Sequence, residues 1–205
     1  DDRTSRGLGD VYKRQTQEYD ENEGSCIVKW SYKTGKVVDT LLTSNMAFGD
    51  ARETFGGYEF SSDERFVVLT TSSEGLYRHS FYANFYVYDF DAYEDARPIT
   101  DFSLGKQRLA QLSPAGDKVA FVRENNIFIS DLATGDEIQI TTDGVTNAII
   151  NGATDWVYEE EFGNDQGLFW NGDGSRLAYL KFDESNVREF HMPVYGSLYP
   201  VSYTH

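Results

Sequence analysis

Three consecutive carboxylates, Glu159-Glu160-Glu161, follow Asp155-Trp156-Val157-Tyr158 and precede Phe162. Like charges packed together repel unless something cationic offsets them. An acidic run is ordinarily a solvated turn. The aromatics flanking this one favour a different reading, a receptor for a cation carried on an apolar anchor. On a strand, neighbouring Glu side chains point to opposite faces and cannot easily share a ligand. On a helix, successive side chains diverge by only about 100°. The spacing therefore predicts a short helix over Trp156 to Phe162, with Asp155 as its N-cap and acidic residues suited to the helix dipole. Two of the three carboxylates can then reach a single ammonium group.

A second stretch, Ser72-Ser73-Glu74-Gly75-Leu76-Tyr77-Arg78-His79-Ser80-Phe81, brings a guanidinium among aromatics. Arg78 can offset an acidic cluster and present a planar fork to a carbonyl. Other reactive types are scarce. His79 reads as a structural loop residue, His191 as a surface residue, and His205 lies at the chain end. No Gly-x-Ser-x-Gly elbow occurs, so no Ser-His-Asp triad is assigned and no catalytic residue is placed in this chain. No His/Cys cluster suggests zinc. Asn171-Gly172-Asp173-Gly174 fits a tight turn better than a calcium loop. The sequence thus implies no cofactor. The sole cysteine, Cys26, reads as a buried small apolar residue of a strand.

The elements that must position these residues come from a repeat. Phe60-Ser61-Ser62-Asp63-Glu64-Arg65-Phe66-Val67-Val68-Leu69 is one copy. Leu112-Ser113-Pro114-Ala115-Gly116-Asp117-Lys118-Val119-Ala120-Phe121 is the next. Trp170-Asn171-Gly172-Asp173-Gly174-Ser175-Arg176-Leu177-Ala178-Tyr179 is the third. Each is a large apolar residue, a polar turn and a short apolar strand, spaced 52 and then 58 residues apart. Spacing of this size marks propellers and other arrays. Asn84 to Asp89 matches Asn126 to Asp131 as a further strand, and Asp131-Leu132-Ala133-Thr134-Gly135 and Ser31-Tyr32-Lys33-Thr34-Gly35 are hairpin turns ending in Gly. Last strands follow at Val37 to Leu42, Arg97 to Thr100 and Glu137 to Thr141. Four short antiparallel strands per period is the pattern of a β-propeller blade. The expected fold is all-β, a partial β-propeller of about three to four blades. Residues 16 to 42 give a partial blade, 57 to 142 give two full ones, and a short helical insertion carries the Glu run. A β-sandwich or solenoid accounts less well for the period and for strands in fours. The Arg78 stretch and the Glu run are both insertions, and insertions in arrays map to loops of one face, often the binding face.

The net charge of −16 argues against nucleic acid or an anionic membrane as partner. Abundant aromatics, 14 Tyr and 14 Phe against 4 Pro, suit strands rather than disorder. No apolar run approaches the ~20 residues that cross a membrane, and no signal peptide is visible at the start. Leu8-Gly9-Asp10-Val11-Tyr12-Lys13-Arg14-Gln15 and Val201-Ser202-Tyr203-Thr204-His205 resemble translated sequencing-adapter sequence. Residues 1–15 are therefore expected to be a non-native leader, 16–200 a propeller fragment and 201–205 a second scar.

Asp155-Trp156-Val157-Tyr158-Glu159-Glu160-Glu161 resembles the double-glutamate motif of the dipeptidyl peptidase IV family, within the prolyl oligopeptidase superfamily. Asn151-Gly152-Ala153-Thr154 extends the likeness upstream. Tyr77-Arg78-His79-Ser80-Phe81 with Tyr86-Val87-Tyr88-Asp89 looks like the family's arginine loop and succeeding strand. The resemblance covers nearly all of residues 16–200. It implies an eight-bladed propeller capping an α/β-hydrolase domain, in a serine exopeptidase that releases dipeptides with Pro or Ala in second place. It implies that Glu160 and Glu161 hold the substrate's α-ammonium and that Arg78 holds a substrate carbonyl. Glu159 receives no substrate contact and is expected to matter least, unless it supports the helix. The implied partners are peptides with a free N-terminus and the hydrolase domain of the same protein, with a homodimer allowed, in an extracytoplasmic location. The alternatives are a non-enzymatic propeller that binds a partner protein, and a related peptidase releasing tripeptides or acylated residues. A capped amine offers no charge to a Glu pair, which disfavours the acylated case.

Overall fold

The computed structural model describes residues 13–92, 94–188, 192–194 and 201–203. Strands β1 (Lys13–Asp20), β2 (Gly24–Ser31) and β3 (Lys36–Thr43) form one antiparallel sheet. A short helix α1 (Ser44–Phe48) leads to β4 (Gly57–Phe60), β5 (Phe66–Gly75), β6 (Phe81–Asp89) and β7 (Arg97–Pro98). The next four strands are β8 (Gln107–Leu112), β9 (Lys118–Arg123), β10 (Asn126–Asp131) and β11 (Glu137–Gln139). Both groups of four pair antiparallel in chain order, and one residue pair, Ala83 with Gln107, joins them. These are the two full blades expected over 57–142. Beyond them come β12 (Ile149–Asn151), helix α2 (Trp156–Phe162), β13 (Leu168–Trp170), β14 (Leu177–Tyr179) and β15 (Lys181–Asp183). There β12 pairs with β15 and β13 with β14, the opening of another blade. Last, β16 (Met192–Val194) pairs with β17 (Val201–Tyr203).

The first strand reaches further back than the sequence reading placed it. Lys13, Arg14 and Gln15, assigned above to the leader, open β1 opposite Ser31, Trp30 and Lys29. Residues 1–12, His191, and Thr204 and His205 of the second scar lie outside the described residues.

The repeat has a structural counterpart in its turns. Ser61, Ser113 and Asn171 occupy the same place in the three copies. Each accepts, through its side chain, a backbone N–H at or just before the start of the following strand: Phe66 at 2.9 Å, Lys118 at 3.1 Å and Arg176 at 2.8 Å. The Asn171 turn is held from within by hydrogen bonds among Asn171, Asp173 and Ser175. Hairpin turns at Gly35 and Gly135 take φ of 63° and 77°, where glycine carries no Cβ penalty.

The apolar runs of the central strands are continuous because both faces of each blade are covered. Val67 and Leu69 of β5 pack with Ile27, Leu42 and Phe55 on the side of the first sheet. Val68, between them, packs with Leu112, Val119 and Phe121 of the next blade. One blade on, Ala120 and Val122 turn the other way, to Ile127 and Leu168. Cys26 is buried in β2, and burial pushes its thiol up from the usual value.

Candidate functional site

Helix α2 starts and stops as its sequence dictates. The Asp155 carboxylate accepts the Tyr158 N–H at 2.8 Å, which makes it the N-cap. Gly163 ends the helix in the left-handed conformation at φ 63°, returning its N–H to the Glu159 carbonyl. The segment that delivers the chain to the helix is clamped between blades. Gly152 donates its N–H to the Leu180 carbonyl, Gly167 donates to Gly152, and the Thr154 hydroxyl reaches the Asn164 carbonyl at 2.7 Å. A Cβ on Gly152 would lie 2.8 Å from Ile127 Cγ1 and 2.9 Å from Leu168 Cδ2, and its φ is +79°. Only glycine fits that approach.

The arginine insertion is an extension of the β5–β6 hairpin rather than a loop between separate strand pairs. After Thr71 the register slips, with Ser72 at φ 48°, and pairing resumes at Glu74 with Tyr82. The tip is a tight turn in which Leu76 and Tyr77 both donate to the Ser80 carbonyl. Arg78 and His79 sit at its apex.

The two insertions meet. The apolar anchor expected for the Glu run is absent in that form: Trp156, Val157, Tyr158 and Phe162 are exposed, and the buried residue of α2 is Glu159, 1% exposed. Its Oε1 accepts the backbone N–H of His79 at 2.6 Å and of Ser80 at 2.8 Å. Burial would raise this carboxyl, but contacts from Ser80 and His79, with Arg108 nearby, outweigh it and hold Glu159 below its usual value. Glu160, half-buried, receives Arg78 Nε at 2.8 Å. Glu161 is exposed on the next position of the helix. Tyr158 packs edge-on to Phe182 of β15, with ring centroids 4.9 Å apart.

The structure therefore brings Arg78, Glu160 and the turn of Glu161 together at one place, and gives Glu159 a separate task. Sequence reasoning left that task open; nothing in a run of three identical residues marks which one turns inward. His79 serves through its backbone. A cavity of about 490 Å³ lies elsewhere, lined by Arg65, Asp89, Arg97 and Asp117 among others.

Residues 61–204 match the family described as Dipeptidyl peptidase IV (DPP IV) N-terminal region. The chain belongs to that family. A probable dipeptidyl-aminopeptidase B of Podospora anserina is 39% identical over 145 residues, covering 70% of this chain and 15% of that protein. Prolyl endopeptidase FAP of Mus musculus is 35% identical over 188 residues, covering 88% of this chain and 23% of that protein. The crystal structure of Porphyromonas gingivalis dipeptidyl peptidase 4 superposes with a TM-score of 0.82 at 41% identity, covering 93% of this chain and 27% of that one. The chain thus spans about a quarter or less of the relatives it matches.

Proposed function

We propose that this chain is the substrate-gating, N-terminus-recognising part of the propeller of a serine exopeptidase. That enzyme releases X-Pro and X-Ala dipeptides, and its nucleophile, base and acid lie in an α/β-hydrolase domain outside these residues. The observation that carries the reading is the meeting of two insertions. Helix α2 presents Glu160 and Glu161 on its outer side, and the β5–β6 tip lays Arg78 against Glu160. Relatives named dipeptidyl peptidases support the substrate class.

An exopeptidase must count residues from a free N-terminus. Two carboxylates held at a fixed place relative to a nucleophile do that counting by gripping the α-ammonium. Arg78 leaves the four N–H groups of its two terminal nitrogens for a substrate carbonyl once Nε is taken by Glu160. The same position screens the two glutamates from each other before substrate arrives. A blocked N-terminus leaves the carboxylates unpaired and is rejected. The parent enzyme acts outside the cytoplasm, and its partners are peptides with a free amine and its own hydrolase domain.

The test uses the full-length protein. The kcat/KM for Gly-Pro-anilide is compared with that for the N-acetylated compound in wild type, Glu160→Gln and Glu161→Gln. Charge-assisted hydrogen bonds contribute about 1.5–3 kcal/mol each, so two of them favour the free amine by about 10²–10⁴-fold. Each substitution should narrow that preference at least about tenfold. A preference unchanged in both variants would return the Glu pair to a solvated turn and favour a propeller that binds protein partners.

A further inference from the structure

Strand β8 carries a charge into the interior that the site as described does not use. Arg108 is 5% exposed, and its Nε and Nη2 have no hydrogen-bond partner among the described residues. A buried guanidinium left unpaired is costly, so its surroundings must offset it. The local chain is bent to place it there. The register of β8 against β9 slips between Arg108 and Gln111, and Leu109 sits at φ +60°, a strained conformation for a leucine. Bulges beside functional sites re-aim side chains, and strain persists where surrounding structure holds it.

The place it reaches follows from the pairing. Gln107, the preceding residue, is bridged to Ala83 at the start of β6. Three residues before Ala83 is Ser80, whose N–H is held by Glu159. Arg108 thus enters beneath the turn that carries Arg78. The titratable groups near enough to act on its charge are Tyr82 of the β5–β6 hairpin, Glu159 of α2, Asp165 after α2 and Tyr77 of the same hairpin. Glu159 has only one oxygen engaged by the turn, while Oε2 is fully buried and without a hydrogen-bond partner among the described residues. Two buried side chains of opposite charge, each with unpaired polar atoms and not in direct contact, therefore lie on either side of the Ser80 turn.

We infer that Arg108 is the buried counter-charge of Glu159 and, through it, a positioning residue for the Arg78 turn. Arg108 holds the Glu159 carboxylate ionised and fixed. The carboxylate holds the His79 and Ser80 amides. The amides set where Arg78 meets Glu160. The kinetic consequence rests on the function proposed above; the structural consequence does not.

The experiment reads both, in the full-length protein. Hydrogen exchange is followed at the amides of His79 and Ser80 in wild type, Arg108→Met, Arg108→Lys, Glu159→Gln, Asp165→Asn and the Arg108→Met/Glu159→Gln double variant. Exchange at residues 119–122 of the blade core reports folding. Arg108→Met should speed exchange at His79 and Ser80 about tenfold or more with the blade core unchanged. Arg108→Lys should recover most of the protection, and Asp165→Asn should leave it intact. The double variant should behave as Glu159→Gln alone, because the interaction is already gone. The KM for Gly-Pro-anilide should rise about tenfold in Arg108→Met, with kcat changed much less. Unchanged exchange at His79 and Ser80, or a full additional effect of Arg108→Met in the Glu159→Gln background, overturns the inference. If Arg108→Met does not fold, it must become tolerated once Glu159 is Gln; equal loss in both backgrounds likewise overturns it. Faster exchange with unaltered KM leaves the positioning role standing and counts against N-terminus binding by this site.

Discussion

Arg78 Nε lies 2.8 Å from a carboxylate oxygen of Glu160, joining the tip of one propeller insertion to the helix of another. The two ends of that contact are unequal: the Arg78 side chain is 69% exposed and that of Glu160 is 15% exposed. Ion pairs open to water contribute about 0–1 kcal/mol to folding. The contact is therefore better suited to arranging charge for a ligand than to holding the fold.

Arg78→Ala should separate those roles. Its melting temperature should fall by less than about 4 °C, the shift that ~1 kcal/mol produces in a domain of this size. On the function proposed above, kcat/KM of the full-length protein on Gly-Pro-anilide should fall about tenfold or more, through loss of the proposed carbonyl contact and an uncompensated acidic cluster. Arg78→Lys should recover little, because an ammonium cannot serve Glu160 and a carbonyl with one planar fork. Calorimetry and steady-state kinetics on the same preparations decide it. A large loss of stability with unchanged kcat/KM would make the pair structural.

Glu159 reverses that balance. It is buried and accepts two backbone N–H groups, so Glu159→Ala strands both donors and should destabilise the protein by about 3 kcal/mol. The dependence on pH has a definite sign. The folded carboxyl is held below its ordinary value of 4.5, so its contribution is fully present above that value and is lost as pH falls through the folded value. The difference in melting temperature between wild type and Glu159→Gln should be flat from pH 7 to about 5 and shrink below that. A difference that grows toward low pH would show that the group does not stay ionised in the folded protein.

The blades were legible because their signals are local. An apolar residue, a polar turn and an apolar strand recur at fixed spacing, and Ser61, Ser113 and Asn171 each close their own turn within five residues. The α2 helix was legible for the same reason, since Asp155 and Gly163 act on their immediate neighbours. What the sequence hid depends on contacts far apart in the chain. Glu159 is told from Glu160 and Glu161 only by amides about 80 residues away. Arg108 looks like any charged residue of a half-exposed strand until the bulge at Leu109 turns it inward. The hairpin extension at Ser72–Gly75 carries no strand signal in the sequence, because the slip after Thr71 breaks the alternation that marks a strand.

The last blade leaves apolar residues uncovered. Phe169 of β13, Tyr179 of β14 and Leu180 beside it are each more than a third exposed. Exposed apolar groups on short, open sheets invite association. The chain expressed alone should aggregate at micromolar concentration, and Phe169→Lys with Leu180→Lys should raise its solubility. The soluble material should not turn over Gly-Pro-anilide, since it carries no nucleophile elbow. Light scattering and a chromogenic assay test both statements. Turnover by the purified chain would mean that it contains a catalytic group not recognised among its residues.

Gly152 links the blade packing to the site. It lies at φ +79°, and an added methyl would come within 2.8 Å of Ile127 Cγ1 and 2.9 Å of Leu168 Cδ2. Both neighbours are fully buried, so neither can swing aside. Overpacking a closed core costs about 1–3 kcal/mol, and a left-handed backbone adds about 1 kcal/mol for a residue with a Cβ. Gly152→Ala should therefore lower stability by about 2–4 kcal/mol. The displaced segment is the one that delivers Thr154 and Asp155 to the start of α2, so Glu160 and Glu161 should shift with it. On the function proposed above, kcat/KM of the full-length protein should fall for the free-amine substrate more than for its acetylated form, because on that reading only the former uses the glutamates. A control at Gly163, where φ is +63° but nothing lies within 4 Å of an added Cβ, isolates the steric part. Gly163→Ala should cost only about 1 kcal/mol. Equal losses at the two glycines would show that backbone conformation alone, and not the contact with Ile127 and Leu168, governs Gly152.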